Sequence, residues 1–323
     1  MIPVKPHVRT GRRSYSVLLA LLLLACIVFV GCTFHGISSH AGDNVVPPSY
    51  GLNDGRVAVH FIDVGQGDSE LIQYNGTTIL IDAGEADEGP GLVTYLKNQG
   101  VRNIDLLIAT HPHSDHIGGM QDVLKNFEVQ RVIDSGMPYT TTTYQKFLET
   151  IDRKNIPYST VQRGNSFSPA PGLTMLVLSA PDGSKDQDPN DGSIVLRASI
   201  GRVNILFEGD AGITTEESMI NSGLPLESQV LKVAHHGSPH GTGSAFLERV
   251  RPEAVIISVG AGNPYNHPAE DTLRRLEDSG ALIFQTDTDG STVVRTDGMK
   301  FSVETAKNGM YPFVDSTPAS VPA

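Results

Sequence analysis

The chain has 323 residues, 39% of them apolar, with 33 glycines, 20 prolines and a formal net charge of −12. That composition is globular and loop-rich and excludes a disordered or fibrous chain. The excess of acid excludes a passive nucleic-acid binder, which would present a basic face.

Residues 1–32 carry Lys5, Arg9, Arg12 and Arg13 but no acid, then run apolar through VLLALLLLACIVFVG into Cys32. A cationic lead followed by such a run predicts an export signal, and the run is short for a membrane span of ~20 residues. The ending FVGC resembles a bacterial lipoprotein signal with Cys32 as the lipidated residue. LLAC at Cys26 is a competing match, and an uncleaved helical anchor or plain secretion are the alternatives. All of these place the chain outside the cytoplasm, held to a membrane by lipid or an N-terminal helix, or secreted. Both cysteines fall in this segment, so the remainder has no disulfide and no thiolate ligand.

Residues 33–55, with Pro47-Pro48, predict a flexible tether. RVAVHFIDVG alternates and reads as a strand. SELIQYNGTTILIDAG reads as two strands around Asn75-Gly76, a strong hairpin signal. A helix follows in GLVTYLKNQG, closed by Gly100. IDLLIAT is a short apolar run and therefore a buried strand. IGGMQDVLKNF predicts a helix, VQRVID a strand and TYQKFLETIDRKN a helix. LTMLVLSA, SIVLRASI and RVNILFEGD are three strands in succession. TTEESMINSG is a helix with Glu216 and Glu217 in its first turn. Then come strand QVLKVAHH, helix SAFLERVR, strand AVIISVG, helix AEDTLRRLEDSG, strand ALIFQT and the hairpin STVVRTDGMKFSV. Two sheets with helices outside satisfy this order in one α/β domain over residues 56–305. Residues 306–323 predict a disordered tail.

The stretch LIATHPHSDHIGG, residues 107–119, puts three histidines and an aspartate into six positions after a buried strand. Ligands of α/β sheets sit beyond the carboxyl ends of strands. Pro112 keeps the chain extended between His111 and His113, while Asp115 and His116 are adjacent and point differently. One pair therefore suits one cation and the other pair a second. Imidazole and carboxylate are ligands for zinc, and with no cysteine available they are the only ligands on offer. Asp210 in FEGD also ends an apolar strand, where a carboxylate can bridge two cations or cap the following helix. His235 and His236 follow another strand, and adjacent residues of a regular strand cannot face one point. His60 reads as a core residue and His240 as a solvated one.

His111-x-His113-x-Asp115-His116 resembles the HxHxDH motif of the metallo-β-lactamase superfamily. HFIDVGQGDSELI, ILIDAG, FEGDA, LKVAHHGS and NPYNHP resemble the extracellular hydrolase domain of ComEC/Rec2-type DNA-uptake proteins and their stand-alone relatives, over roughly residues 56–300. The resemblance implies a four-layered αββα sandwich with two metal ions, zinc or alternatively manganese. It implies His111, His113, Asp115, His116, Asp210 and His236 as metal ligands, with Asp210 bridging. Asp115, His235 and His267 are then the catalytic candidates, the two histidines binding phosphate or protonating the leaving group. His235 stays the alternative to His236 as ligand. Asp82 is expected to orient a ligand histidine, and Asp68 with Gly67 to shape a turn. No histidine lies between His116 and Asp210, where many members of the superfamily place a further ligand; DPNDGSIVL occupies that region, with Asp191 as a substitute.

These residues imply hydrolysis by metal-bound hydroxide, most simply of a phosphodiester in DNA, a nucleotide, a lipid or a wall-polymer headgroup. A β-lactam or lactone hydrolase, and a non-catalytic metal-binding envelope protein, are the alternatives. No stable protein partner is implied.

Overall fold

A computed structural model describes residues 57–184 and 187–315. The expected export signal and tether lie outside the described residues. No helix among the described residues is long and apolar enough to cross a membrane.

Two sheets carry the fold. The first has nine strands in the spatial order Gly309–Asp315, Lys300–Thr305, Thr292–Thr296, Val57–Phe61, Glu70–Tyr74, Thr77–Ile81, Leu106–Ala109, Val132–Asp134 and Tyr158–Ser159. The second has seven, in the order Leu282–Gln285, Ala254–Ile257, Val230–Lys232, Val203–Phe207, Val195–Ile200, Leu173–Ser179 and Ser166–Ala170. One half of each sheet is parallel, from Thr77–Ile81 to Tyr158–Ser159 in the first and from Val203–Phe207 to Leu282–Gln285 in the second.

Side-chain alternation explains the layering. In Thr77–Ile81, Ile79 and Ile81 join a core that also holds Ile205 and Phe207 of the second sheet, whereas Leu80 faces the opposite way with Leu92, Leu96 and Phe147. Ala254 and Ile256 likewise point to the shared core, and Val255 and Ile257 to Phe246, Val250 and Leu276. Strands buried on both faces lose the polar–apolar alternation of a half-exposed sheet and read as continuous apolar runs. Phe61 and Phe207 stack at 6.0 Å across the two sheets. Helices Gly89–Asn98 and Thr142–Lys154 cover the first sheet, and Ile213–Asn221, Ser244–Val250 and Glu270–Asp278 the second. The result is the αββα sandwich.

The hairpin falls where Asn75-Gly76 places it, with φ of 49° and 80°, as its tight turn requires. Three expectations change. The helix expected over IGGMQDVLKNF divides into Ser114–Ile117 and Met120–Asn126, because Gly118-Gly119 packs against residues 83–86, where a Cβ at Gly119 would collide with the Ala83 carbonyl. The strand expected through QVLKVAHH stops at Lys232, and His235 and His236 adopt left-handed φ of 48° and 54°. The domain does not end at 305: Gly309–Asp315 pairs antiparallel with Lys300–Thr305. This strand contains Pro312, which a sheet accepts at its edge because no ladder donor is needed there.

Candidate metal centre

Each candidate side chain follows the carboxyl end of a strand. Thr110 to His113 leave Leu106–Ala109, and Asp115 and His116 ride on the short helix Ser114–Ile117. Asp210 leaves Val203–Phe207, and His235 and His236 leave Val230–Lys232. His267 comes from the loop after Ala254–Ile257. The first group belongs to one sheet and the rest to the other, so the site spans the seam of the sandwich.

Two groups of donors share Asp210: Asp115, His116 and His236 form one with it, and His111 and His113 the other. The His116 Nε2 atom lies 3.2 Å from Asp210 Oδ1, and His236 Nε2 lies 3.2 Å from Asp115 Oδ2 and 3.8 Å from Asp210 Oδ1. On the other side His111 Nε2 is 3.6 Å from Asp210 Oδ2 and 3.1 Å from His113 Nδ1. The six residues expected as ligands are thus brought together. The left-handed turn at residues 235–236 separates the two adjacent histidines: the His236 side chain is 2% exposed and inside the cluster, while that of His235 is 30% exposed at its rim, with Nε2 3.7 Å from Asp210 Oδ2.

The residues around the cluster fix its geometry. Asp82, itself at φ 53°, accepts from Thr110 N at 2.9 Å and Thr110 Oγ1 at 2.6 Å, and faces His116 Nδ1 at 2.8 Å. That leaves Nε2 of His116 turned to Asp210. His236 Nδ1 pairs with the Ser258 carbonyl at 3.0 Å, leaving its Nε2 inward as well. Gly67 has a φ of 145°, and a Cβ there would collide with the Asp115 carbonyl, which accepts from Asp68 N at 3.1 Å.

The electrostatics point the same way. Burial opposes charge on His116, yet Asp210, Asp82 and Asp115 outweigh it and hold the ring well above its ordinary pKa. Burial is likewise overcome at His236, which Asp210 and Asp68 push up to about 10. Burial, then His116, push His111 well down. Asp210 is held well below the carboxylate range despite its burial, because His116, His236 and His111 surround it. A pocket that raises imidazoles this strongly is one whose carboxylates favour positive charge at its centre. His116 Nε2 and Asp210 Oδ1 are buried and lack hydrogen-bond partners among the described residues. Imidazole and carboxylate donors of this kind, turned toward one another and unsatisfied, fit divalent cations.

Other expectations resolve individually. Asp82 stands behind His116 as anticipated. Asp210 does not cap the next helix, whose N-cap is Gly212. Asp191 lies outside both donor groups; its Oδ1 accepts from Gly212 N and Thr215 Oγ1, tying down the turn into that helix. Ser193 takes the place beside the cluster: its Oγ lies 3.3 Å from His111 Nδ1 and accepts from Asp210 N at 3.2 Å. Asp68 does more than shape a turn. It is buried, 2.7 Å from Lys232 Nζ and 3.2 Å from His236 Nδ1. His60 is a core residue, its Nδ1 3.0 Å from the Tyr95 hydroxyl, and His240 is exposed. Lys232, Ser193, Tyr139, Gln66 and Tyr265 were not legible as site residues. Gln66, Ser193, Lys232 and Tyr265 lie inside HFIDVGQGDSELI, DPNDGSIVL, LKVAHHGS and NPYNHP, stretches that mark the region of the site but not these residues' roles, and Tyr139 lies in none of them.

A cavity of about 290 Å³ opens over Asp115, Asp210, His235 and His236, with Tyr139 and Tyr265 among its walls. His267 also lines it, its ring edge-on to His235 at 5.7 Å and stacked on Tyr265 at 5.7 Å. Burial, reinforced by His235, brings His267 down to about 4, so it is neutral at neutral pH.

Residues 62–261 match the family model of the metallo-beta-lactamase superfamily. The chain is 33% identical over 240 residues to the competence protein ComA of Neisseria gonorrhoeae, covering 74% of this chain and 32% of that one. It is 29% identical over 255 residues to ComE operon protein 3 of Bacillus subtilis, covering 73% and 33%. The chain thus spans about a third of the length of these curated relatives. Among solved structures, Igni18, a metallo hydrolase from Ignicoccus hospitalis, superposes with a TM-score of 0.50 at 17% identity, covering 74% of this chain and 98% of that one. CmlA, a diiron beta-hydroxylase from Streptomyces venezuelae, gives 0.51 at 14% identity, covering 74% and 54%. The matched family model and the shared fold make this chain a member of the metallo-beta-lactamase superfamily, with the features of a ComEC/Rec2-like hydrolase domain.

Proposed function

We propose that this chain is a metal-dependent phosphodiesterase acting outside the cytoplasm, with DNA or its nucleotides as the leading substrate class. The observation that carries the reading is the pair of donor groups joined by Asp210 beneath an open cavity. Among the described residues that line that cavity there is no Lys or Arg, which favours cations in the cluster as the partner for the charge of a phosphodiester. Bound divalent cations, zinc in this proposal and manganese as the alternative, lower the pKa of water and neutralise charge growing on a phosphoryl oxygen.

The chain's own residues supply the rest. His111, His113, Asp115, His116, Asp210 and His236 hold the cations, and Asp82 keeps the His116 proton on Nδ1. His235 and His267, neutral and at the rim, donate hydrogen bonds to the phosphate or to the leaving oxygen. A cavity of about 290 Å³ takes one nucleotide or headgroup and not a duplex, which favours single strands and chain ends. The competence-protein relatives support a nucleic-acid substrate; short matches to ribonuclease Z of Clostridium beijerinckii, 41% identical over 54 residues, agree with phosphodiester chemistry. A lipid anchor at Cys32 would hold the enzyme at the envelope.

The test is hydrolysis by the full chain, in Zn²⁺ or Mn²⁺, of bis-p-nitrophenyl phosphate, single-stranded DNA and nitrocefin. Turnover of the first two that a chelator abolishes supports the reading. Turnover of nitrocefin alone refutes it.

A further inference from the structure

Tyr265 is the most exposed large apolar side chain among the described residues, at 63%. It also stands in the wall of the cavity over the cluster. A lone exposed aromatic ring is ordinary on a protein surface. This one is fastened at the mouth of a site. Asn263 fixes the loop around it: its Oδ1 accepts from Tyr265 N and from His267 N, both at 3.1 Å. Its Nδ2 donates to the Gly260 carbonyl at 3.0 Å and to the His267 carbonyl at 2.6 Å. The proposed chemistry uses His267 and leaves Tyr265 without a role.

The rings form a row. His235 Nε2 lies 3.7 Å from Asp210 Oδ2, the His267 ring stands edge-on to His235 at 5.7 Å, and the Tyr265 ring stacks on His267 at 5.7 Å and 28°. The row runs from the carboxylate shared by both donor groups out to the rim. His267 covers one face of Tyr265, and the exposed remainder leaves the other face open. Across the cavity, Tyr139 follows the first-sheet strand Val132–Asp134, its ring edge-on to His113 at 5.5 Å. Each sheet thus contributes one aromatic wall. A flat ring laid on the open face of Tyr265 keeps a phosphate attached to it within the same cavity as His267, His235 and the cluster. Nucleobases are flat rings tethered to phosphates, and they stack on aromatic side chains whatever their identity. A ring already held in position loses little freedom when the base arrives.

We propose that Tyr265 is a specificity-determining residue: a stacking platform for a nucleobase of the substrate, which selects nucleotide esters over other phosphodiesters without reading sequence. The proposal rests on the phosphodiesterase reading and names the part of the substrate that the aromatic wall takes.

Two esters isolate the base. p-Nitrophenyl thymidylate and methyl p-nitrophenyl phosphate share their charge and leaving group and differ in the nucleoside. With the metal-loaded full chain, Tyr265→Ala should lower the ratio of their kcat/KM values about tenfold, within the range of one base–aromatic stack. Tyr265→Phe keeps the ring and should keep the ratio. Oligothymidylate should likewise bind more tightly than an abasic strand of the same length, and Tyr265→Ala should remove that preference. An unchanged ratio in Tyr265→Ala overturns the proposal; both esters slowed alike would reveal a ring that only props His267. A ratio lost equally in Tyr265→Phe would assign the effect to the hydroxyl and overturn the stack as well. A wild-type chain that cleaves neither ester refutes the proposed function instead. The two strands then still decide the role of Tyr265: a base preference that vanishes in Tyr265→Ala supports the platform, and one that is absent or survives overturns it.

Discussion

Asp82→Asn isolates the part the surrounding residues play in holding a cation. Asn keeps the shape of Asp82 and can still accept from Thr110 N, at 2.9 Å in the native chain. It presents an amide to His116 Nδ1, which Asp82 now faces at 2.8 Å. The imidazole must then accept at Nδ1, so its proton moves to Nε2, the atom aimed at Asp210 from 3.2 Å. One of four donors in the Asp115–His116–Asp210–His236 group is thereby lost to a cation. Disrupting such a supporting carboxylate costs about 10–100-fold in metal affinity, or about 1.4–2.7 kcal/mol. The metal-free protein should not suffer in the same way, because burial raises the Asp82 pKa and removing its charge relieves a desolvation cost. Chelator competition and thermal melts of the metal-free protein separate the two effects. Wild-type metal affinity in Asp82→Asn would refute the tautomer argument, and a collapse of metal-free stability would show Asp82 to be a folding residue instead.

Four further outcomes follow from the geometry. Metal titration should be biphasic, because the group of four donors binds more tightly than His111, His113 and Asp210 alone; a single phase in calorimetry would contradict this. His267→Ala should lower turnover by about 10–100-fold, the value of one hydrogen bond to a charged group, while metal content stays at the wild-type level. The metal-free protein should lose melting temperature as pH rises from 6.5 toward 10. His236 has a folded pKa of about 10 against an ordinary 6.5, so its stabilising proton is fully bound below 6.5 and is lost on the way up. Glu216, raised to about 7 by burial, adds a loss of the same sign between 4.5 and 7, and a melting temperature that rises with pH would reject both. Phe207→Ala, which empties the stack with Phe61, should cost about 3–5 kcal/mol in denaturant unfolding.

Residue patterns carried the architecture because burial on both faces leaves a distinct mark: LLIA, NILF and AVII are apolar almost throughout, and only sheets covered on each side demand that. The HPHSDH cluster was legible because its donors are contiguous. Ser193 and Asp68 were not, since each reaches the site across long sequence separations, 82 positions to His111 in the case of Ser193. The choice between His235 and His236 turned on two successive left-handed φ values at residues with side chains, a conformation set by tertiary contacts and not by local preference. The strand Gly309–Asp315 was hidden by Pro312, which argues against a central strand but not against an edge.

The cluster takes its imidazoles at 111, 113 and 116 from one sheet and its carboxylate at 210 and imidazole at 236 from the other. Any ion seated there is also a cross-link between two layers that otherwise adhere chiefly through apolar contact. Loading and docking of the layers must then reinforce each other, so a chain short of metal should open first along this boundary, and proteolysis there would report how well supplied its surroundings are.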